Sequence, residues 1–270
     1  MRKNKRIILL VVSLLLVLTL SACKKDEGNT YQQVKRDDAI TWGIRADTRL
    51  FGLTIIRTGK IEGFEVDLAQ ALTKQMLGKK AKANFVTTTA NTRIPLLKNH
   101  NIDAVLATMT ITPEREKQVT FTKPYFPAGS SLLVPKSSKI TSVRQLNDQT
   151  VLAVKGTTAV DDVHKFAPKA RVLQYDDYGQ AMSALKAGQG VALTTDNGIL
   201  AGIAQENPGY KLVGGVYVNA PYGIAVNKGQ KQMVEHLNQA LAELKANGIY
   251  QKLLDKWFKG IPGFNVKEMN

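Results

Sequence analysis

The stretch Ala107–Arg115, ATMTITPER, begins like a strand and ends like a helix. Its threonines alternate as in an extended chain. Residues 112–114 (Thr-Pro-Glu) then provide an N-cap hydroxyl, a proline at the first helical position and an acid at the positive end of the helix dipole. Arg115 follows in the first turn, where a cation is disfavoured. With free amides and threonine hydroxyls its guanidinium would form an anion site; alternatively it faces solvent or pairs with Glu116.

Strands and helices alternate on both sides of this stretch. The predicted strands are 40–44, 102–107, 150–154 and 191–194, and the predicted helices between them are 64–76, 94–97 and 180–186. Such alternation predicts α/β units on a largely parallel sheet. Shifting the sequence by 88 positions aligns Leu97-Lys98 with Leu185-Lys186 and Thr108 with Asp196. This match suggests two lobes built on one plan.

Polar residues follow a predicted strand in each half of the chain. They are Thr108 and Thr110 in the first half, and Thr195 and Asp196 in the second. Ligands of open α/β sheets lie beyond the carboxyl ends of strands, so two facing strand ends predict a cleft. Asp196 could hold an ammonium group there or could instead cap the helix that follows it. An anion site opposite a cation site suits a zwitterion such as an α-amino acid.

The first residues indicate the compartment. Residues 1–22 combine a basic start with an apolar run shorter than the roughly 20 residues of a spanning helix, which is typical of a signal peptide. Cys23 ends the segment Leu-Ser-Ala-Cys, which resembles a bacterial lipobox and implies cleavage before Cys23 and its lipidation. Residues 23–37 are polar and unpatterned, as in a flexible tether. We therefore expect a protein lipid-anchored on the extracytoplasmic face of the cell membrane.

The chain is strongly basic, with a formal charge of +15, or +11 without the four cations of residues 1–22. Scattered lysines usually form a solvated surface, and they would also favour an anionic envelope. Because no nucleic-acid motif or aromatic–basic platform occurs, we expect no nucleic-acid partner. The single cysteine leaves no internal disulfide and no cysteine-based zinc site. Neither a metal nor a cofactor is predicted.

Several motifs occur in a family's order: 63–69 (GFEVDLA), 101–104 (NIDA), 107–115 running on to 121–126 (FTKPYF), 155–158 (KGTT) and 221–224 (PYGI). On these the chain resembles the solute-binding proteins of ABC importers for polar amino acids. The resemblance spans nearly all of the sequence after residue 38. It implies the type II periplasmic-binding-protein fold, in which each of two lobes is a mostly parallel sheet flanked by helices.

The resemblance also implies a domain division. Lobe 1 would comprise 38–124 and 223–270, lobe 2 would comprise 130–217, and 125–129 with 218–222 would form two crossing hinge strands. The hinge residues would be Tyr125, Gly129, Val218 and Tyr222.

The binding residues implied by the resemblance are Thr108, Thr110 and Arg115 for a ligand α-carboxylate, Asp196 for an α-ammonium, and Thr157, Thr158 and Tyr222 as further contacts. The expected mechanism is a clamp: hinge closure covers the ligand, and the closed protein docks on a membrane permease whose ATPase subunits are separate chains.

Two further arginines bear on which amino acid is bound. Arg45 follows the first strand and Arg93 precedes the 94–97 helix, as basic residues do in relatives that bind glutamate and aspartate. This favours L-glutamate or L-aspartate, with L-glutamine as the alternative; either arginine could instead lie on the surface. Glutamine-type relatives often place an aromatic ring near the positions of Leu50 and Ala90, and Phe51 is the candidate substitute.

Two other classes of function compete with transport: a cleft enzyme of dehydratase type and a surface adhesin. Catalysis needs a poised acid or base. The three histidines, His100, His164 and His236, lie away from the predicted strand ends, and no nucleophile-elbow, zincin or P-loop motif occurs. The sequence therefore favours a binding protein over an enzyme.

Overall fold

A computed structural model describes residues 28–269. Its strands are β1 (Ala39–Ile44), β2 (Asp47–Thr48), β3 (Gly52–Ile55), β4 (Lys60–Glu62), β5 (Lys82–Thr87), β6 (Ala104–Val105), β7 (Val119–Phe121), β8 (Gly129–Pro135), β9 (Thr150–Val154), β10 (Arg171–Tyr175), β11 (Ala192–Asp196), β12 (Tyr210–Asn219) and β13 (Ala225–Asn227). Its helices are α1 (Thr30–Asp37), α2 (Phe64–Leu77), α3 (Arg93–Lys98), α4 (Pro113–Glu116), α5 (Ala159–His164), α6 (Tyr178–Lys186), α7 (Asn197–Glu206), α8 (Lys231–Ala246) and α9 (Ile249–Phe258). A short 3₁₀ helix spans Val143–Leu146.

The first large sheet has the order β5-β1-β6-β13-β7. Strand β1 is parallel to β5 and to β6, and β13 is antiparallel to both β6 and β7. Four of the five strands therefore run in one direction, with β13 reversed between β6 and β7. A smaller sheet of β2, β3 and β4 stands beside it.

The second large sheet repeats this plan in the order β10-β9-β11-β8-β12. Strand β9 is parallel to β10 and β11, and β8 is antiparallel to its neighbours β11 and β12. Again one strand is reversed, next to the edge. The predicted α/β fold of two similar lobes, each with a mostly parallel sheet flanked by helices, is confirmed.

Two chain segments run side by side between the large sheets. The Tyr125 amide donates to the Tyr222 carbonyl (2.9 Å), the Tyr222 amide to the Phe126 carbonyl (3.0 Å) and the Ala220 amide to the Ala128 carbonyl (2.8 Å). Gly129 and Val218, the other predicted hinge residues, already belong to β8 and β12. The 125–129 and 218–222 segments are thus hydrogen-bonded to each other along the path between the lobes.

The N-terminal part of the described chain corrects one prediction. Residues 30–37 were expected to be tether, but they form α1, capped by the Asn29 side chain, which accepts from the Tyr31 amide (3.1 Å). Tyr31 and Val34 are buried, and the Tyr31 ring stacks on His236 of α8 with centroids 3.6 Å apart. Two apolar residues three positions apart suffice for a short helix that packs on a neighbour. The predicted signal peptide and Cys23 lie outside the described residues.

None of the helices within residues 28–269 is long and apolar enough to cross a membrane.

Trp42 joins β1 of the first sheet to α2. Its side chain is fully buried, and its indole Nε1 donates to Thr73 Oγ1 on α2 (2.9 Å). The Thr73 hydroxyl in turn donates to the Ala69 carbonyl (2.8 Å), so the donor and the acceptor are both satisfied. This pairing fixes the helix against the strand whose carboxyl end leads toward the cleft.

Replacing Thr73 by valine should therefore destabilise the protein. Thr73→Val keeps the shape but leaves a buried indole N–H unpaired, at a cost of about 1–3 kcal/mol in the free energy of unfolding. Urea denaturation measures this. Thr54→Val, at an exposed position in β3, is the control, and equal effects of the two changes would contradict the proposed role of the indole bond.

Candidate functional site

The carboxyl ends of strands from both lobes meet at one cavity. It is narrow, with a volume of about 10 Å³ for the centre of a water-sized sphere, about enough for one water molecule. The residues that line it are Arg45, Ala90, Arg93, Thr108, Thr110, Arg115, Thr157, Thr158, Ala159, Tyr178, Thr195 and Asp196. This set contains every predicted ligand-binding residue except Tyr222.

Arg115 reaches across the cavity. Thr112 caps the single turn of α4, accepting from the Arg115 amide (3.2 Å). The Arg115 guanidinium donates through Nη1 to the Thr110 carbonyl (2.7 Å) and through Nη2 to the Gly156 carbonyl of the other lobe (3.0 Å). Among the described residues it forms no ion pair with Glu116. Arg115 is therefore placed to offer a cation to a ligand held between the lobes.

The backbone of Thr108 has an unusual conformation. Its φ is +45°, in the left-handed region that costs a β-branched residue roughly 1–3 kcal/mol. Two charged side chains hold it: its amide donates to Glu65 Oε1 (2.7 Å), and its carbonyl accepts from Arg93 Nη1 (3.2 Å). This bend ends the strand predicted over 102–107, of which β6 keeps only two residues. It also turns the chain toward Thr110 at the cavity wall.

Arg93 is buried, with only 2% of its surface exposed. Its Nη1 also donates to the Ala107 carbonyl (2.6 Å), while its Nε has no hydrogen-bond partner in the part of the chain that the structure describes. Burial, with the nearby positive charges of Arg115 and Arg45, lowers the Arg93 pKa to about 9. Arg93 therefore stays charged at neutral pH, and the alternative of a surface arginine is excluded.

Arg45 also lines the cavity, but its charge is already compensated. Its Nη2 and Nε donate to the two carboxylate oxygens of Asp47 (2.6 and 2.9 Å), and Nε also donates to Thr48 Oγ1 (3.2 Å). The guanidinium stands over the ring of Tyr178 at 5.4 Å from the centroid. The sequence prediction that Arg45 meets a ligand carboxylate did not include this bidentate partner.

Asp196 occupies the wall formed by the second lobe. It stands at the N-cap position of α7, yet its side chain makes no capping bond; instead Oδ2 accepts from the Tyr222 hydroxyl (2.7 Å). The alternative prediction of a helix-capping aspartate is thus excluded for the side chain. Burial raises the Asp196 pKa to about 6, and the group is largely ionised at neutral pH. Tyr222 contributes by orienting this carboxylate.

The loop before α5 closes the same wall. The Thr157 hydroxyl donates to the Val154 carbonyl (2.7 Å), and Thr158 stands at the N-cap position of α5 without a capping bond. Gly156 has φ of +74°, and its Cα packs so closely on lobe 1 that a Cβ there would lie 2.9 Å from the Ala90 carbonyl carbon. The two lobes therefore touch across the cavity.

The sequence analysis missed Tyr178, which lines the cavity, and wrongly offered Phe51 as a ring that stacks on the ligand. Tyr178, whose hydroxyl is 2.9 Å from Thr195 Oγ1, follows Asp177 at a helix start, and nothing in its pattern distinguishes it from a core tyrosine. Phe51 does not line the cavity. Its ring packs edge-on against Phe126 with centroids 5.0 Å apart, inside an aromatic cluster. Phe51 is thus a core residue rather than a stacking partner for a ligand.

Residues 40–260 match the family model of bacterial extracellular solute-binding proteins, family 3. The chain belongs to this family. Among curated relatives, this solute-binding protein is 46% identical to the ABC transporter glutamine-binding protein GlnH of Bacillus subtilis, over 94% of this chain and 97% of that one. It is 41% identical to a glutamine-binding protein of Geobacillus stearothermophilus, over 86% and 95%. A glutamate/aspartate import solute-binding protein of Escherichia coli is 27% identical, over 88% and 83%.

Solved structures agree with the family assignment. An ancestral arginine-binding protein bound to glutamine matches this solute-binding protein with a TM-score of 0.77 at 38% identity, over 82% of this chain and 98% of that one.

The buried carboxylate of Asp196 should make the stability of this solute-binding protein depend on pH. Because the pKa is raised on folding to about 6, the folded state binds the proton more tightly than the unfolded chain. The free energy of unfolding is then highest below an unfolded pKa of about 4 and falls as pH rises through 6. Asp196→Asn removes this dependence.

Between about pH 4.5 and 7.5 the wild type should lose roughly 2 kcal/mol of unfolding free energy relative to Asp196→Asn, measured by urea denaturation. Asp161→Asn, which removes an exposed carboxyl of α5, is the control. If the difference between wild type and Asp196→Asn stays constant over this range, Asp196 is not a buried acid of the kind described.

Proposed function

We propose that this chain is the solute-binding component of an ABC importer for amino acids and that its preferred ligand is L-glutamine. The observation that carries the proposal is the placement of Arg115 and Asp196 on opposite walls of one small cavity. An α-amino acid carries a carboxylate and an ammonium group on the same carbon, and these two side chains offer a partner to each.

The carboxylate would lie against the Arg115 guanidinium and the Thr110 segment. Charge-assisted hydrogen bonds of this kind contribute roughly 1.5–3 kcal/mol each. The ammonium would donate to Asp196, whose other oxygen is held by the Tyr222 hydroxyl. Thr157 and Thr158 would add contacts from the second lobe.

The distribution of charge supports glutamine over glutamate. A ligand carboxylate at Arg45 would have to compete with Asp47, which occupies that guanidinium in bidentate fashion. Arg93 donates to backbone carbonyls and lies near the buried carboxyl of Glu65. The relatives that are 46% and 41% identical are named for glutamine, whereas the glutamate/aspartate relative is 27% identical. We therefore prefer the glutamine alternative to the glutamate expected from the two arginines.

Ligand capture would proceed by closure about the 125–129 and 218–222 segments. The lobes meet through the Arg115–Gly156 hydrogen bond and, at the rim, through an ion pair between Arg49 and Glu206 (2.7 Å). A ligand bonded to both lobes favours this closed arrangement only by as much as it binds it better than the open one. The closed protein would then present a surface to a membrane permease.

Two further properties complete the proposal. Lipidation of Cys23 would anchor the protein on the extracytoplasmic face of the membrane. The protein would bind its ligand without converting it, since the three histidines lie elsewhere: His100 near Asn227, His164 at the Ala170 carbonyl and His236 on Tyr31. An adhesin on the same fold would not need the paired charges of the cavity.

Calorimetric titration of the protein, unfolded and refolded to remove bound ligand, tests the proposal with L-glutamine, L-glutamate, L-aspartate and L-arginine. We expect micromolar or tighter binding of glutamine, at least roughly tenfold tighter than the others. Arg115→Met should weaken it by about a hundredfold, and Arg57→Met, at an exposed arginine, should not. Tightest binding of another amino acid would overturn the glutamine assignment, and binding of none would overturn the amino-acid function.

Closure predicts a second effect, at Gly156. Gly156→Ala places a methyl group against Ala90 and Asn91 of the other lobe, at a positive φ. Gly188→Ala is a matched control, since Gly188 has φ of +73° with open space around its Cα. Glutamine affinity should fall by roughly tenfold or more only in the Gly156 variant, with loss of the ligand-induced compaction seen by small-angle X-ray scattering. Equal effects in both variants would attribute the loss to backbone strain alone.

A further inference from the structure

Glu65 is a buried acid directly behind the cavity wall. It lies in the first turn of α2 with 0% of its surface exposed. One carboxyl oxygen, Oε1, accepts from the Thr108 amide (2.7 Å) and from the Tyr125 hydroxyl. The other oxygen, Oε2, has no hydrogen-bond partner within residues 28–269. Its charged form is therefore only half supported by hydrogen bonds and depends on nearby cations.

The charged and titratable groups around Glu65 come from four directions. Arg45 follows β1, Arg93 begins α3, Tyr125 lies on a crossing segment, and Tyr250 of α9 donates to the Tyr125 carbonyl. Of these, only the two arginines carry positive charge. Arg45 has the larger effect of the two on Glu65 but is compensated by Asp47, which leaves Arg93 as the buried cation without an ion-pair partner among the described residues.

Glu65 and Arg93 are coupled through the backbone of one residue. Thr108 donates its amide to Glu65 and accepts from Arg93 at its carbonyl. Each side chain also keeps one buried polar atom unpaired, Oε2 and Nε. The two charges oppose each other across the backbone that forms the cavity wall.

The protonation state of Glu65 determines the net charge of one part of the cavity. Arg45 with Asp47 is neutral, and Arg115 with Asp196 serves the two charges of the amino-acid backbone. The remaining cation is Arg93. With Glu65 ionised, the part of the cavity beside Arg93 has no net charge, and with Glu65 neutral it has a charge of +1.

We propose that Glu65 is the specificity-determining charge of this site: by compensating Arg93 it makes the cavity favour an uncharged ligand side chain over a carboxylate. This inference rests on the proposed function, an amino-acid site that prefers glutamine. Glu65 acts through Arg93 and Thr108 and is a positioning residue, not a ligand contact.

The proposal implies that ligand choice depends on pH. Burial raises the Glu65 pKa to about 7, because the hydrogen bonds and the arginines offset only part of the cost of burying its charge. As pH falls through 7, Glu65 becomes neutral, the charge of Arg93 is exposed to the ligand, and glutamate binding strengthens relative to glutamine. Protonation of Asp196 weakens both ligands alike and cancels in the ratio of their dissociation constants.

Calorimetric titration of Glu65→Gln with L-glutamine and L-glutamate tests the role directly. The amide oxygen of Glu65→Gln can still accept from Thr108 and Tyr125, so the negative charge is lost while these two hydrogen bonds are kept. We expect the preference for glutamine over glutamate to fall by about tenfold or more at pH 8, mainly through tighter glutamate binding. Glu62→Gln, which removes an exposed acid from β4, is the matched control and should leave the preference unchanged.

A second measurement uses the wild type alone and so does not depend on the variant folding. The ratio of glutamate to glutamine dissociation constants should fall as pH is lowered from 8 to 6, and this change should be absent in Glu65→Gln. A ratio that is constant with pH in the wild type, or equal in Glu65→Gln and wild type, would overturn the inference while leaving glutamine binding intact. Failure of the wild type to bind glutamine would overturn the proposed function itself.

Discussion

A guanidinium removed from water is stable only when most of its donors are hydrogen-bonded and its charge is compensated. Three such groups meet at this cavity, two of them buried and Arg115 half-buried. Arg45 is paired with a carboxylate two residues along the chain. Arg115 donates to two carbonyls from different lobes. The stabilisation of its guanidinium therefore depends on the relative position of the lobes. Arg93 rests on backbone carbonyls with Glu65 behind them. The other residues of the site are arranged around these three arginines and their partners.

The same requirement explains the backbone at Thr108. A threonine in the left-handed region is unfavourable by itself, and it persists because an acid holds its amide while an arginine holds its carbonyl. The strained peptide is thus maintained by the electrostatic arrangement that would select the ligand. Local conformation and charge compensation at this wall therefore depend on the same two side chains.

Short-range patterns predicted the α/β class, a repeat suggesting two similar lobes, and a cleft with Thr108, Thr110 and Asp196 after its strands. The two-lobed fold with its lobe boundaries and the remaining predicted cavity residues were implied only by the resemblance to a known family. The predictions for Arg45 and Phe51 failed because they depended on contacts made only in the folded chain. Asp47 is only two residues from Arg45, but their pairing requires the turn into β2, which has no clear periodic signal. The Phe51 ring is buried because it packs in an aromatic cluster.

Other misjudgements have similar physical causes. Helix α1 was taken for tether because two buried residues, Tyr31 and Val34, are too few to produce an amphipathic pattern; the helix is stabilised by α8, more than 190 residues away. Glu65 is the second residue of the predicted 64–76 helix, and it does lie at a helix start. Its burial could not be deduced, since acids in a first turn are usually exposed.

The order of strands in the first sheet has a consequence for synthesis. Strand β13 lies between β6 and β7 but comes from Ala225–Asn227, after the whole second sheet has been made. In a chain made from its N-terminus, the second sheet can form from one continuous segment. The first sheet stays incomplete between β6 and β7 until β13 has been made. The half of the cavity that carries all three arginines is therefore the last to form, and until then its unpaired strand edges remain available to chaperones or to other chains.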